Sequence, residues 1–156
     1  MGKVSIVKRK DGGVCIAPIA REQRPDETDA EFLHACTKRI TKEPISPGFG
    51  GEVIGIFDDS IVIQDRYFRG AWTWNTPEPK VDIDLEKARS IHTDNLRLKR
   101  APMLEKLDAA YMRADENGDT AEKMRITSEK QRLRDFPTDT RLVNAKTPDE
   151  IRSFDI

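Results

Sequence analysis

Asp115, Asn117 and Asp119 stand at alternate positions in "DENGDTAEKMRI", the arrangement with which a loop supplies oxygen ligands to a calcium ion. Such a loop needs a glycine at its sixth position for the sharp turn and a bidentate carboxylate at its twelfth. Here those positions hold Thr120 and Ile126, so no calcium site is predicted and Gly118 is read as part of a turn. His34 and Cys36 are two apart on a predicted helix, which points them to different faces, and His92 lies far away in sequence. No zinc set forms from them. With two histidines and no Ser or Cys in a nucleophile motif, no acyl-transfer triad is signalled. Neither G-x-G-x-x-G nor G-x-x-x-x-G-K-[ST] occurs, and "GFGG" lacks the following lysine and helix start of a phosphate loop. The expectation is a chain with no catalytic residue, no metal and no cofactor.

Two other groups invite a role in binding. Arg97, Lys99 and Arg100 form the densest basic patch, but no aromatic residue near them in sequence is available to stack on a base. "QDRYFRGAWTWN", residues 64–75, holds four of the ten aromatic side chains. Two purposes fit it. Phe68 and Trp72 can plug the chain into a small N-terminal core, or Phe68, Trp72 and Trp74 with Arg66 and Arg69 can face a partner, since Trp, Tyr and Arg dominate binding hot spots.

These side chains must be carried by elements that the sequence marks out. Two short alternating runs around Asp11, Gly12 and Gly13 predict a β-hairpin. Thr28 and Glu31 have capping-box spacing ahead of Phe32, Leu33, Cys36 and Ile40, which predicts a short amphipathic helix stopped before Pro44. Residues 44–51, with two prolines and three glycines, read as a loop. "EVIGIF" and "SIVIQ" are β-rich and either pair as strands or leave the second as an extended connection into the aromatic stretch. From residue 82 the character changes. Leu85, Ala88, His92, Leu96, Met103, Leu107, Tyr111 and Ala114 keep a helical period up to Asn117 and Gly118, with Asp84 as cap and a kink expected at Pro102. Asp119 and Glu122 open a second helix that ends near Asp135, before Pro137. Thr147, Pro148 and Glu150 start one more short helix containing Ile151 and Phe154.

The fold class predicted is α+β: a small N-terminal β-rich unit with one short helix (residues 1–76), a long-helix/short-helix hairpin (77–136) and a C-terminal tail with a short helix (137–156). At about 1.5 Å per residue the first hairpin helix would be roughly twice as long as its partner, leaving residues 85–100 uncovered.

Composition narrows the function. Charged residues make up 35 % and hydrophobic ones 37 % of the 156 residues, so much of the chain is solvated. Twenty-seven basic and twenty-eight acidic residues nearly cancel, which removes the long-range field expected of a nucleic-acid or membrane binder. Residues 1–9 hold no apolar run of signal-peptide length, and no segment reaches the 18 apolar residues of a membrane span. Cys15 and Cys36 are expected to be reduced, cytosolic and half-buried.

"QDRYFRGAWTWN", "DLEKARSIHTDNLR", "LDAAYMRADENGDTAEKMRITSEKQRLRD" and "AKTPDEIRSF" together resemble a group of small bacteriophage and prophage proteins encoded near tail and tail-fibre genes. The helical part is similar to the phage tail assembly chaperone family, in which an arginine-rich helix, a turn and a second helix end in a "QxLRD" pattern, here residues 131–135. The family often carries a tryptophan between the helices, where this chain has residues 115–119, "DENGD". The resemblance covers roughly residues 64–154. It implies a non-enzymatic protein of the host cytoplasm during virion assembly, or of the virion tail, whose partner is a tail or tail-fibre protein. The uncovered helix face makes Leu85, Ala88, His92 and Leu96, with Phe68, Trp72 and Trp74, the expected partner-binding residues, and a homodimer through that face is a further expectation. A structural virion component and a small nucleic-acid-binding regulator using Arg97, Lys99 and Arg100 are the alternatives.

Overall fold

Asp11 closes the first hairpin. Its carboxylate accepts from the Gly13 amide at 2.9 Å and from Arg9 Nε at 3.0 Å, while Gly12 at φ 80° takes the left-handed step that a side chain would resist. Strands β1 (Lys3–Arg9) and β2 (Val14–Pro18) follow antiparallel from that turn, as the sequence predicts. The computed structural model describes residues 2–19, 21–41, 51–75 and 77–156, and for residues 39–41 the backbone alone. The predicted glycine loop at 44–51 therefore lies outside the described residues except for Gly51, and so does the Ile40 side chain.

The chain divides into two units, Met1–Asp84 and Leu85–Ile156. In the first, β3 (Gly51–Asp58) pairs antiparallel with β1, giving a three-stranded sheet in the order β2-β1-β3. The register steps from Ile6–Gly55 to Val7–Val53 and leaves Ile54 as the extra residue of a bulge. Helix α1 (Asp29–Thr41) packs against β1 and β3. It starts with the predicted capping box: Thr28 Oγ1 accepts from the Glu31 amide, and the Glu31 carboxylate accepts from the Thr28 amide. Phe32 and Thr37 are its buried side chains, with Leu33 and Cys36 half-buried. "SIVIQ" does not pair with β3. Residues 59–61 form a single 3₁₀ turn, and the chain continues extended into the aromatic stretch.

Strand β4 (Trp72–Asn75) then pairs antiparallel with β5 (Lys80–Ile83), a strand absent from the sequence reading. Val4, Ile6, Val14, Trp72 and Val81 form the buried cluster of this unit, with Phe57, Trp74 and Ile83 packed on it. Because β5 completes the β4 ladder, the first unit extends to Asp84 and not only to residue 76.

The second unit is helical. Helix α2 (Leu85–Glu116) has 32 residues, about 48 Å, and runs unbroken through Pro102. Gly118 at φ 66° makes the exit turn, and Asp119 caps α3 (Thr120–Asp135) by accepting from the Glu122 amide at 2.9 Å. After a 3₁₀ turn at Phe136–Thr138 come α4 (Thr140–Val143) and α5 (Pro148–Ser153). The latter opens on a complete Thr147/Glu150 capping box. The C-terminal segment thus belongs to the helical unit and not to a separate tail. Among the described residues no helix is long and apolar enough to cross a membrane.

Candidate functional site

The α2 face expected to stand bare is covered. Ala88, His92 and Leu96 are all buried, at 0, 4 and 4 % exposure, and Leu85 is half-buried. Helix α5 packs on α2, and residues on either side of α5 bond to α2 across the chain. Arg89 Nη2 donates to the Ala145 carbonyl at 2.7 Å, and Lys99 Nζ reaches the Asp155 carboxylate at 2.5 Å. His92 Nε2 lies 2.8 Å from the Phe154 carbonyl; since a carbonyl only accepts, Nε2 carries the proton. Leu142, Ala145, Ile151 and Phe154, all buried, supply the apolar side of this cover. Ile151 and Phe154 are too little for an independent helix, but together with Leu142 and Ala145 they cover this face of α2. The expectation of an exposed face at residues 85–100 is therefore corrected, and with it the premise for a homodimer through that face.

The other half of α2 packs on α3. Ala114, Ile126 and Leu133 are buried there, Lys130 pairs with Asp108 at 2.6 Å, and the Tyr111 ring lies under the ammonium groups of Lys123 and Lys130. Asp115 is paired with Lys123 and Asp119 is used as a helix cap, so two of the three acidic-loop side chains have assigned structural partners. No group of three or more possible metal ligands occurs among the described residues.

The basic patch is similarly engaged. Arg97 pairs with Asp94 at 2.8 Å and Lys99 with Asp155, while Arg100 donates to the Leu133 carbonyl at 3.0 Å and lies over the Phe136 ring. Along α3, Glu122 pairs with Arg125 and Glu129 with Arg132, each at 2.7 Å.

In the first unit the aromatic stretch divides. Trp72 enters the buried cluster with 8 % exposure, and Trp74 lies half-buried at its edge, its ring 5.0 Å from that of Phe57. Phe68 is buried too, at 3 %, but outside that cluster, with the Tyr67 ring edge-on to it at 4.7 Å. The anchoring purpose of the stretch is thus fulfilled by Trp72. Burial pushes the Cys15 thiol up against the opposing pull of Arg9. Both cysteines are free and half-buried.

What the helical unit does leave exposed was not singled out in sequence. Among the described residues, Leu98 and Met112 on α2, Met124 on α3 and Val143 on α4 are 76, 64, 68 and 51 % exposed. Leu98 and Met112 are fourteen residues apart, which at about 100° per residue places them within roughly 40° of one another on the helix. The same arithmetic puts Leu98 about 160° around the helix from Leu96. The signal was present in the sequence as apolar residues off the main period, which count as noise when a helix is read for its core.

Compared with family models, curated proteins and solved structures, the chain matches none.

Proposed function

We propose that this chain is a non-enzymatic assembly factor of bacteriophage or prophage tails that binds a tail or tail-fibre protein through its helical unit. The reading rests on the sequence blocks that resemble tail-associated proteins and on one structural observation. Leu98 and Met112 lie on one side of α2 and are exposed, while the apolar line Ala88, His92 and Leu96 is already covered. A large apolar side chain held in water on a helix is a ready anchor for a partner, and helix-face recognition needs only a few of them.

The docking residues are accordingly Leu98 and Met112, with Met124 on α3, and the buried set that sequence suggested serves the fold. Co-expression with neighbouring tail and tail-fibre proteins is expected to give a complex that Leu98→Asp with Met112→Asp abolishes, the variant remaining folded by circular dichroism. Failure to co-purify with any of them, or a complex indifferent to the double variant, would overturn the proposal. Leu96→Asp is not a usable test, because a charge at a 4 % exposed position reports on folding. Mass spectrometry of purified particles separates an assembly factor, which is absent from them, from a virion component.

A further inference from the structure

The first unit also carries a cleft. It has a volume of about 640 Å³ and opens along β2, with Val14, Ile16, Val62 and Trp72 among its apolar walls. Its charged lining is one-sided: Lys3, Arg9, Arg66 and Arg69 against Asp59 alone. Arg9 is held by Asp11 at 2.9 Å, and Asp59 accepts the Gly2 amide at 3.0 Å. The Lys3, Arg66 and Arg69 side chains meet no partner among the described residues, and all three residues are exposed.

Backbone hydrogen bonding adds a second, independent feature. Strand β2 is an edge of its sheet among the described residues. The Arg9 amide donates to the Gly13 carbonyl and the Ile19 amide to the Lys3 carbonyl, and both pairs belong to the same antiparallel register. Bonded pairs recur every second residue, so Cys15 and Ala17 also turn their N–H and C=O toward β1. Ile16 then turns both of its backbone groups to the open edge. Pro18 offers only a carbonyl there, which limits how far pairing can run. At the other end, the bridge between Gly13 and Thr73 closes the edge.

We infer that this cleft is a docking site for an extended acidic peptide segment of a partner protein, which adds as a short strand beside β2 and sets its carboxylates against Arg66 and Arg69. An unpaired edge supplies main-chain bonds without regard to sequence, and the two guanidiniums on the facing turn select the charge. Alternate side chains of the segment fall toward the apolar walls. This site is in the first unit, whereas Leu98 and Met112 belong to the second, and it stands whether or not the tail-assembly reading holds.

The test uses the full chain and a fluorescein-labelled pool of nine-residue peptides with Asp or Glu at alternate positions and Val, Ile or Thr between them, read by fluorescence anisotropy. Binding is expected, weakening about tenfold in Arg66→Glu with Arg69→Glu, two exposed turn positions, and weakening with added salt. N-methylation of alternate peptide amides is expected to abolish binding by removing the main-chain donors. The inference is overturned by no binding up to about 1 mM peptide, by equal binding of the pool with Lys in place of its acids, by an N-methylated pool that binds undiminished, or by indifference to the double variant. It also fails if a single-stranded oligonucleotide displaces the peptides at lower concentration than unlabelled acidic peptide does.

Discussion

Asp139 shows how a single side chain can hold a helix start and make it sensitive to acid. Its carboxylate accepts from the Arg141 amide at 2.9 Å and pairs with the Arg141 guanidinium at 2.8 Å, which holds the carboxyl down at about 2, from a usual 3.8. The folded state prefers the ionised form, so this contribution is complete above about pH 4 and is lost as pH falls through the folded value near 2. Asp139→Asn is expected to lower the melting temperature at neutral pH, with the difference shrinking between about pH 4 and 2 and closing below that. A difference independent of pH in thermal melts would refute the assignment. At this scale local pattern served well for Thr28, Asp119 and Thr147, whose partners lie three residues away. It could not serve for Lys99 or Arg89, whose partners lie 56 residues along the chain.

Helix α2 carries its own internal flaw. Pro102 has no amide to offer the Leu98 carbonyl, yet the helix passes through it because packing by α3 and α5 holds both sides. The position is exposed, so Pro102→Ala restores a hydrogen bond without disturbing a packed surface. It is expected to raise stability by about 1–3 kcal/mol in urea unfolding; a neutral or destabilising result would mean that the proline conformation is built into the fold. The ends of α2 were legible from Asp84 and from Asn117 with Gly118. Strand β5 was not legible, because four residues with one buried apolar side chain, Val81, give too little alternation to register. "SIVIQ" shows the converse: high β-propensity alone does not make a strand, and these residues form a 3₁₀ turn and extended chain.

Across the whole molecule, the covering of α2 decides what is available to a partner. Ile151 is fully buried and sits on a helix of only six residues, so its loss should release the cover while leaving α2 and α3 paired. Ile151→Ala is expected to cost about 2–5 kcal/mol and to speed amide hydrogen exchange between residues 140 and 156 more than in α3. Equal acceleration throughout the helical unit would show that the cover and the hairpin unfold as one.

Caps, the Asp11 turn, the helix ends and the α+β class follow from interactions spanning a few residues, so the order of side chains was enough to specify them. Whether the periodic face of α2 is covered or left to water was set by packing across 56 to 62 residues of chain, as between His92 and Phe154, and the local period that marks the face does not say what covers it. The same holds for the cleft beside β2: Lys3 of the central strand lines it together with Arg66 and Arg69 only because the sheet and a distant turn fold to one place.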